Sequence, residues 1–316
     1  MKTLSCSSKI FKACALLALL SGGFCTAGAV TIGDGVTVNA SSSGVSSLDE
    51  IVFQGSQTGP VTAVFHVDTD YAISSRGAAD WEVLELWGTV GRIETAPGVT
   101  LTLNGDFIVE GDSYVELSGK FVVDASGAIG GIGYAFSVGP WEEGMQVYLG
   151  PNTTVNGDYR GLKLYNNSTL IMDGSSQFVL TDTDKNYTGI DLGSSTIKLT
   201  GVAQAGHIYI DAPDMGVGTS DGSATHIVVD LSELDIMNLS AGDLIVLFNS
   251  AEVLSYGTQL TDENFTIINP DGTEFVIQWG GENDTILQLV MVPEPALAAW
   301  GLGLLTLATA IRRKGR

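Results

Sequence analysis

Gly111-Asp-Ser-Tyr-Val115-Glu-Leu117, Gly174-Ser-Ser-Gln-Phe178-Val-Leu180 and Gly193-Ser-Ser-Thr-Ile197-Lys-Leu199 share one form: Gly, polar, Ser, any residue, apolar, any residue, Leu. The two apolar positions lie two residues apart, so they point to one side of an extended strand. The Gly and Ser ahead of them suit a corner. The copies are 63 and 19 residues apart, near multiples of about 20, a plausible rung for a parallel β-solenoid. The reading is an all-β chain with a right-handed parallel β-helix or solenoid-like body. A β-sandwich, with strands every 8–12 residues or so, is the alternative.

The flanking sequence has the same texture. No amphipathic helix stands out in residues 30–292, where short β-rich runs alternate with clusters of Gly, Asn, Asp and Ser. Val99-Thr-Leu-Thr-Leu103 alternates and stops at Asn104-Gly105-Asp106, and Thr153–Val155 is read as stopping at Asn156-Gly157-Asp158 in the same way. From His226 the alternation becomes more conventional. Ala241–Phe248, Phe265–Ile268, Phe275–Trp279 and Ile286–Val292 read as strands of a C-terminal β cap, split by Pro270-Asp271-Gly272 and Gly280-Gly281. The expected organisation is a leader at 1–29, a solenoid-like body at 30–225, a β-rich module at 226–292 and a tail at 293–316. Residues 211–223 are the linker candidate.

The leader reads as an export signal. Lys2, Lys9 and Lys12 precede the apolar run Ala13–Leu20, and Ala27-Gly28-Ala29 offers the small residues that signal peptidase needs, with cleavage after Ala29. All three cysteines, Cys6, Cys14 and Cys25, fall inside it. A mature chain would therefore hold no disulfide, thiol nucleophile or thiolate zinc site. Phe24 before Cys25 argues against lipidation.

The tail has three parts in order: Val292-Pro293-Glu294-Pro295, an apolar run from Ala296 to Ile311, and the basic cluster Arg312, Arg313, Lys314 and Arg316. The run is short for a permanent transmembrane helix, and the positive-inside rule leaves its basic end in the cytoplasm. These residues resemble the PEP-CTERM sorting domain of Gram-negative bacteria, over about the last 25 residues. The resemblance implies recognition by an exosortase-type transpeptidase, a transient membrane helix, and delivery to the cell surface or exopolysaccharide matrix.

Composition narrows the function. The chain carries 36 acidic and 14 basic residues, net −22, with only 16% charged residues and 40 glycines in 316. Residues 30–292 hold seven basic residues against 35 acidic ones, net −28. Such a surface repels nucleic acid and polyuronates. Among catalytic motifs, HExxH, P-loop and GxGxxG are missing. Gly111-Asp112-Ser113 recurs as the repeat and reads as a turn, not a nucleophile block. His66, His207 and His226 are too dispersed for a metal centre. Asp182, Asp184 and Asn186 place oxygens at alternate positions, a calcium candidate, but Tyr187 and Gly193 stand where a calcium loop wants Gly and Glu. Trp81, Trp87 and Trp141 are candidate glycan contacts, as is Trp279, and Glu142 and Glu143 beside Trp141 form the most site-like carboxylate cluster. The expected function is a secreted, surface-sorted structural or adhesive protein, non-enzymatic and without a cofactor. A carbohydrate-binding or glycan-acting β-helix, touching exopolysaccharide or host glycan, is the alternative.

Overall fold

The computed structural model describes residues 29–292 apart from 75–82, 127–133, 141, 159–160, 182–188, 254–256, 271 and 282–284. The chain enters with β1 (Val30–Gly33), β2 (Thr37–Asn39), a single helical turn at Ala40–Ser43 and β3 (Ile51–Gln54). Successive coils follow: β4 (Val64–Val67), β5 (Tyr71–Ser74), β6 (Val83–Trp87); β7 (Val90–Thr95), β8 (Thr100–Asn104), β9 (Asp106–Glu110); β10 (Tyr114–Ser118), β11 (Lys120–Asp124), β12 (Tyr134–Val138). Then come β13 (Gln146–Leu149), β14 (Thr154–Asp158), β15 (Gly161–Leu164); β16 (Ser168–Asp173), β17 (Gln177–Thr181), β18 (Gly189–Leu192); β19 (Ser195–Val202), β20 (Ile208–Gly218); β21 (Ile227–Asp235), β22 (Leu244–Val253); and finally β23 (Phe265–Ile268), β24 (Glu274–Gly280) and β25 (Ile286–Val292).

Every third strand stacks on the one before it. The first sheet runs β2-β4-β7-β10-β13-β16-β19-β21-β23, all parallel. A second row, β5-β8-β11-β14-β17, and a third, β6-β9-β12-β15-β18, meet on the long strand β20. The first half of β20 pairs with β17 and its second half with β18. This is an all-β, solenoid-like fold built on parallel sheets, which excludes the β-sandwich. Among the described residues the antiparallel ladders are β22–β25 and β24–β25, which close one end, together with an isolated bridge at Thr219 and Thr258.

Alternation explains the coil. Phe65, Ile93, Leu117, Leu149, Met172 and Leu199 are successive register partners on the first sheet and all are buried. Leu101, Phe121, Val155, Phe178 and Ile210 form the matching inner column of the second row. Phe107, Phe136, Leu162, Ile190 and Val217 form that of the third. The rings of Phe107 and Phe136, and of Phe136 and Phe178, lie 4.9 Å apart and tie the rows into one core.

Three expectations need correction. The rung is longer than about 20 residues: Val90 pairs with Tyr114, Tyr114 with Gln146 and Ser168 with Ser195. The motif copies at 111 and 193 open strands of the first sheet, whereas the copy at 174 opens β17 of the second row. The 19-residue offset is thus corner to corner within one coil. Residues 211–218, expected as linker, belong to β20, held on both sides by parallel partners. Asn156-Gly157-Asp158, expected as a turn, is the end of β14, where pairing with β11 and β17 overrides the local Asn-Gly preference.

The first sheet continues past residue 226, with β21 parallel to β19 and β23 parallel to β21.

Candidate functional site

Many of the expected site residues lie outside the described residues: Ala27, Trp81, Trp141, Asp182, Asp184, Asn186, Pro293, Glu294, Pro295, Arg312, Arg313 and Lys314. Ala29 is described and exposed. Trp87, at the end of β6, is 57% exposed and pairs in register with Glu110. Its indole covers the Gly88–Gly111 corner, where a Cβ on Gly111 would meet the ring at 3.2 Å. Glu110 is buried, and its Oε2 accepts the Glu142 N–H at 3.1 Å. The structure therefore places Trp87 and Glu142 one coil to either side of Glu110 at one corner, with Glu142 and Glu143 exposed.

The recurring serines are corner posts. Ser113, Ser176 and Ser195 are buried, and their hydroxyls donate to Glu110 O, Asp173 O and Gly193 O at 2.6, 2.8 and 3.0 Å. The histidines serve strands: His66 Nδ1 lies 3.1 Å from Glu94 Oε1, and His207 Nε2 lies 2.8 Å from Ser176 O. Among the described residues no group of three or more His, Cys, Asp or Glu is placed to hold a metal, and no helix is long and apolar enough to cross a membrane.

Two side-chain constellations were not singled out from sequence. The first lies on the outer surface of the first sheet. Arg92, Glu116, Tyr148, Ile171 and Lys198 are successive register partners, one per rung. Arg92 Nε and Nη2 both reach Glu116 Oε2 at 2.7 Å. Four rungs away, Lys198 Nζ reaches Glu233 Oε1 at 2.6 Å. Tyr114 flanks this column, and Asp173, Thr200 and Glu233 form the next one. Tyr114, Tyr148, Ile171, Asp173, Lys198 and Glu233 line a shallow groove. Burial, then Glu116, pushes the Tyr114 phenol up to about 12. Burial, then Asp173, raises that of Tyr148. Both phenols are neutral donors at physiological pH. A signal for these residues existed in the repeat: with Val115 and Leu117 inside, Tyr114 and Glu116 must face out, and Ile197 and Leu199 put Lys198 out.

The second constellation seals the third row. Asp191, on β18, is buried and accepts from Tyr134 Oη at 2.7 Å, Tyr165 Oη at 2.6 Å, and Ser220 N and Oγ at 2.9 Å each. Lys163 Nζ sits 4.2 Å from the Tyr165 ring centroid and 5.3 Å from that of Tyr134. Burial, then the Asp191 bond, raises the Tyr165 phenol, and burial, then Asp191, raises Asp221. The carboxylate has four donors and is committed to holding β12, β15, β18 and the loop after β20 together.

No protein-family model, no curated protein and no solved structure matches the chain.

Proposed function

We propose that this is an exported, surface-sorted protein with a structural or adhesive role in the cell envelope or extracellular polysaccharide matrix, acting without catalysis or a cofactor. The observation that supports this reading is the single apolar core running from Ile32 to Leu289 under stacked parallel rungs. Such a body is a stiff rod with long outward columns, suited to spacing and contact. The acidic composition of residues 30–292, which hold no cysteine, suits an exposed life outside the membrane. The right-handed coil, the helix expected at 296–311, recognition by signal peptidase and an exosortase-type transpeptidase, and the sorting role of Pro293-Glu294-Pro295 belong to the same proposal. The coil hand follows from the strong preference of parallel crossovers.

The test is an intact mass of the protein released from its producing cells, combined with fractionation. A chain starting at Val30, lacking 296–316 and found outside the inner membrane is expected. A full-length cytoplasmic product would overturn the proposal. A second reading, a carbohydrate-binding protein, is favoured by Trp87, which is well exposed beside the Glu110–Glu142 corner.

A further inference from the structure

We infer that the outer surface of the first sheet, between Arg92 and Lys198, binds an uncharged polysaccharide lying along the solenoid axis, drawn from the producing cell's own extracellular material. This deepens the surface-protein reading and rests on it for the source of the glycan.

The strip is built for such a chain. Its central column spans four rungs, about 19 Å at about 4.8 Å per strand, and its two ends are ion pairs, Arg92–Glu116 and Lys198–Glu233. Each pair sets donors beside acceptors, the arrangement that meets neighbouring sugar hydroxyls. Between the pairs lie Tyr148 and Ile171, an apolar floor for the flat face of a pyranose. Tyr114 adds a second ring one rung away. The raised phenols stay protonated and can both donate and accept.

Charge selects among polysaccharides. The 30–292 segment is −28, so a polyuronate is repelled. A polyamine glycan would be drawn to the whole surface, and at the strip it would have to break the Lys198–Glu233 pair. An uncharged chain keeps both pairs intact and loses little by desolvation. Glu233 is 63% exposed on its side-chain surface, so it is open to a ligand.

The experiment uses the full chain purified from its cells, with affinity measured for four probes: the neutral fraction of the cell's own extracellular polysaccharide, neutral glucans and mannans from foreign sources, polygalacturonate and a glucosamine polymer. Binding to the neutral fraction, persisting at high salt, is expected. Tyr148→Ala, Lys198→Met and Glu233→Gln should each weaken it about tenfold. Lys120→Met, exposed at the start of β11, should not change it. Circular dichroism confirms folding, and Glu233→Gln lies at so exposed a position that it tests the strip even where Tyr148→Ala unfolds the chain. If Lys198→Met instead tightens binding, and the glucosamine polymer binds in a salt-dependent way, the ligand is cationic and the inference fails. Binding to foreign neutral glycans alone overturns the assigned source. Loss of all binding by a folded, surface-located chain overturns the strip but not the sorting. A cytoplasmic chain overturns the sorting, whatever it binds.

Discussion

Gly91, on β7, faces inward in register with Val115, and the space its side chain would fill is taken by Phe53. A Cβ there would stand 2.1 Å from the Phe53 ring. Gly91→Ala should therefore cost about 1–3 kcal/mol by overpacking, read from the urea midpoint, and Phe53→Leu in the same chain should return part of it. Gly98 differs: its Cβ would meet open space, but its φ is +82°. Gly98→Ala should cost about 1 kcal/mol through backbone strain alone, with no rescue by any neighbour. Tyr114 gives a pH test. Its phenol is raised from 10.0 to about 12, so the stability it contributes is complete below pH 10 and is lost as pH rises through about 12. Tyr114→Phe should flatten the alkaline limb of stability against pH in that window, measured by denaturant unfolding. A limb of unchanged slope would show that the shift belongs to another group.

At the scale of elements, the buried carboxylate of Asp191 joins strands that share no sequence neighbourhood: Tyr134 is 57 residues away and Ser220 is 29. Asp191→Ala strands several buried donors at once and should cost about 3 kcal/mol. Asp191→Asn keeps one acceptor oxygen and should cost less. Equal losses in the two variants would mean that packing, not hydrogen bonding, sets the value. This element-level arrangement also marks where sequence reading succeeds and stops. Phe265–Ile268 and Ile286–Val292 are strands at the ends expected from their alternation, because apolar period two depends only on which residues face the core. The Gly-polar-Ser corners were legible for the same local reason: the serine needs only the carbonyl just before it. Rung length was not legible, because the number of residues between strands varies without altering the pattern: one separates Asn104 from Asp106, and nine separate Asp124 from Tyr134. The fate of 211–218 was hidden too, since Pro213 and the glycines read as a linker while β17, β18 and β22 recruit the segment into a ladder. The outer strip was half legible, as alternation gives its orientation but not which rungs meet.

The whole molecule is a one-dimensional stack, so its stability should scale with the number of rungs. The register makes this testable. Gln146 pairs with Thr169 across one coil, so removing Gln146–Ser168 joins Met145 to Thr169 and deletes a single rung. β10 would then pair with β16, β11 with β17 and β12 with β18. The inner columns stay compatible: Val115 and Leu117 would meet Leu170 and Met172, and Phe136 and Val138 would meet Ile190 and Leu192, all buried in the parent. The shortened chain should fold with unchanged strand signal per residue and a smaller denaturant slope, since less surface is exposed on unfolding. Removing one residue fewer, Gln146–Asn167, moves the following strand by one position. That slip turns Leu170 and Met172 outward and Ile171 and Asp173 into the core, so this chain should fail to fold or should aggregate. If both deletions behave alike, the rungs are not the unit of stability, and the continuous core that supports a rod-like surface protein is not what holds the molecule together.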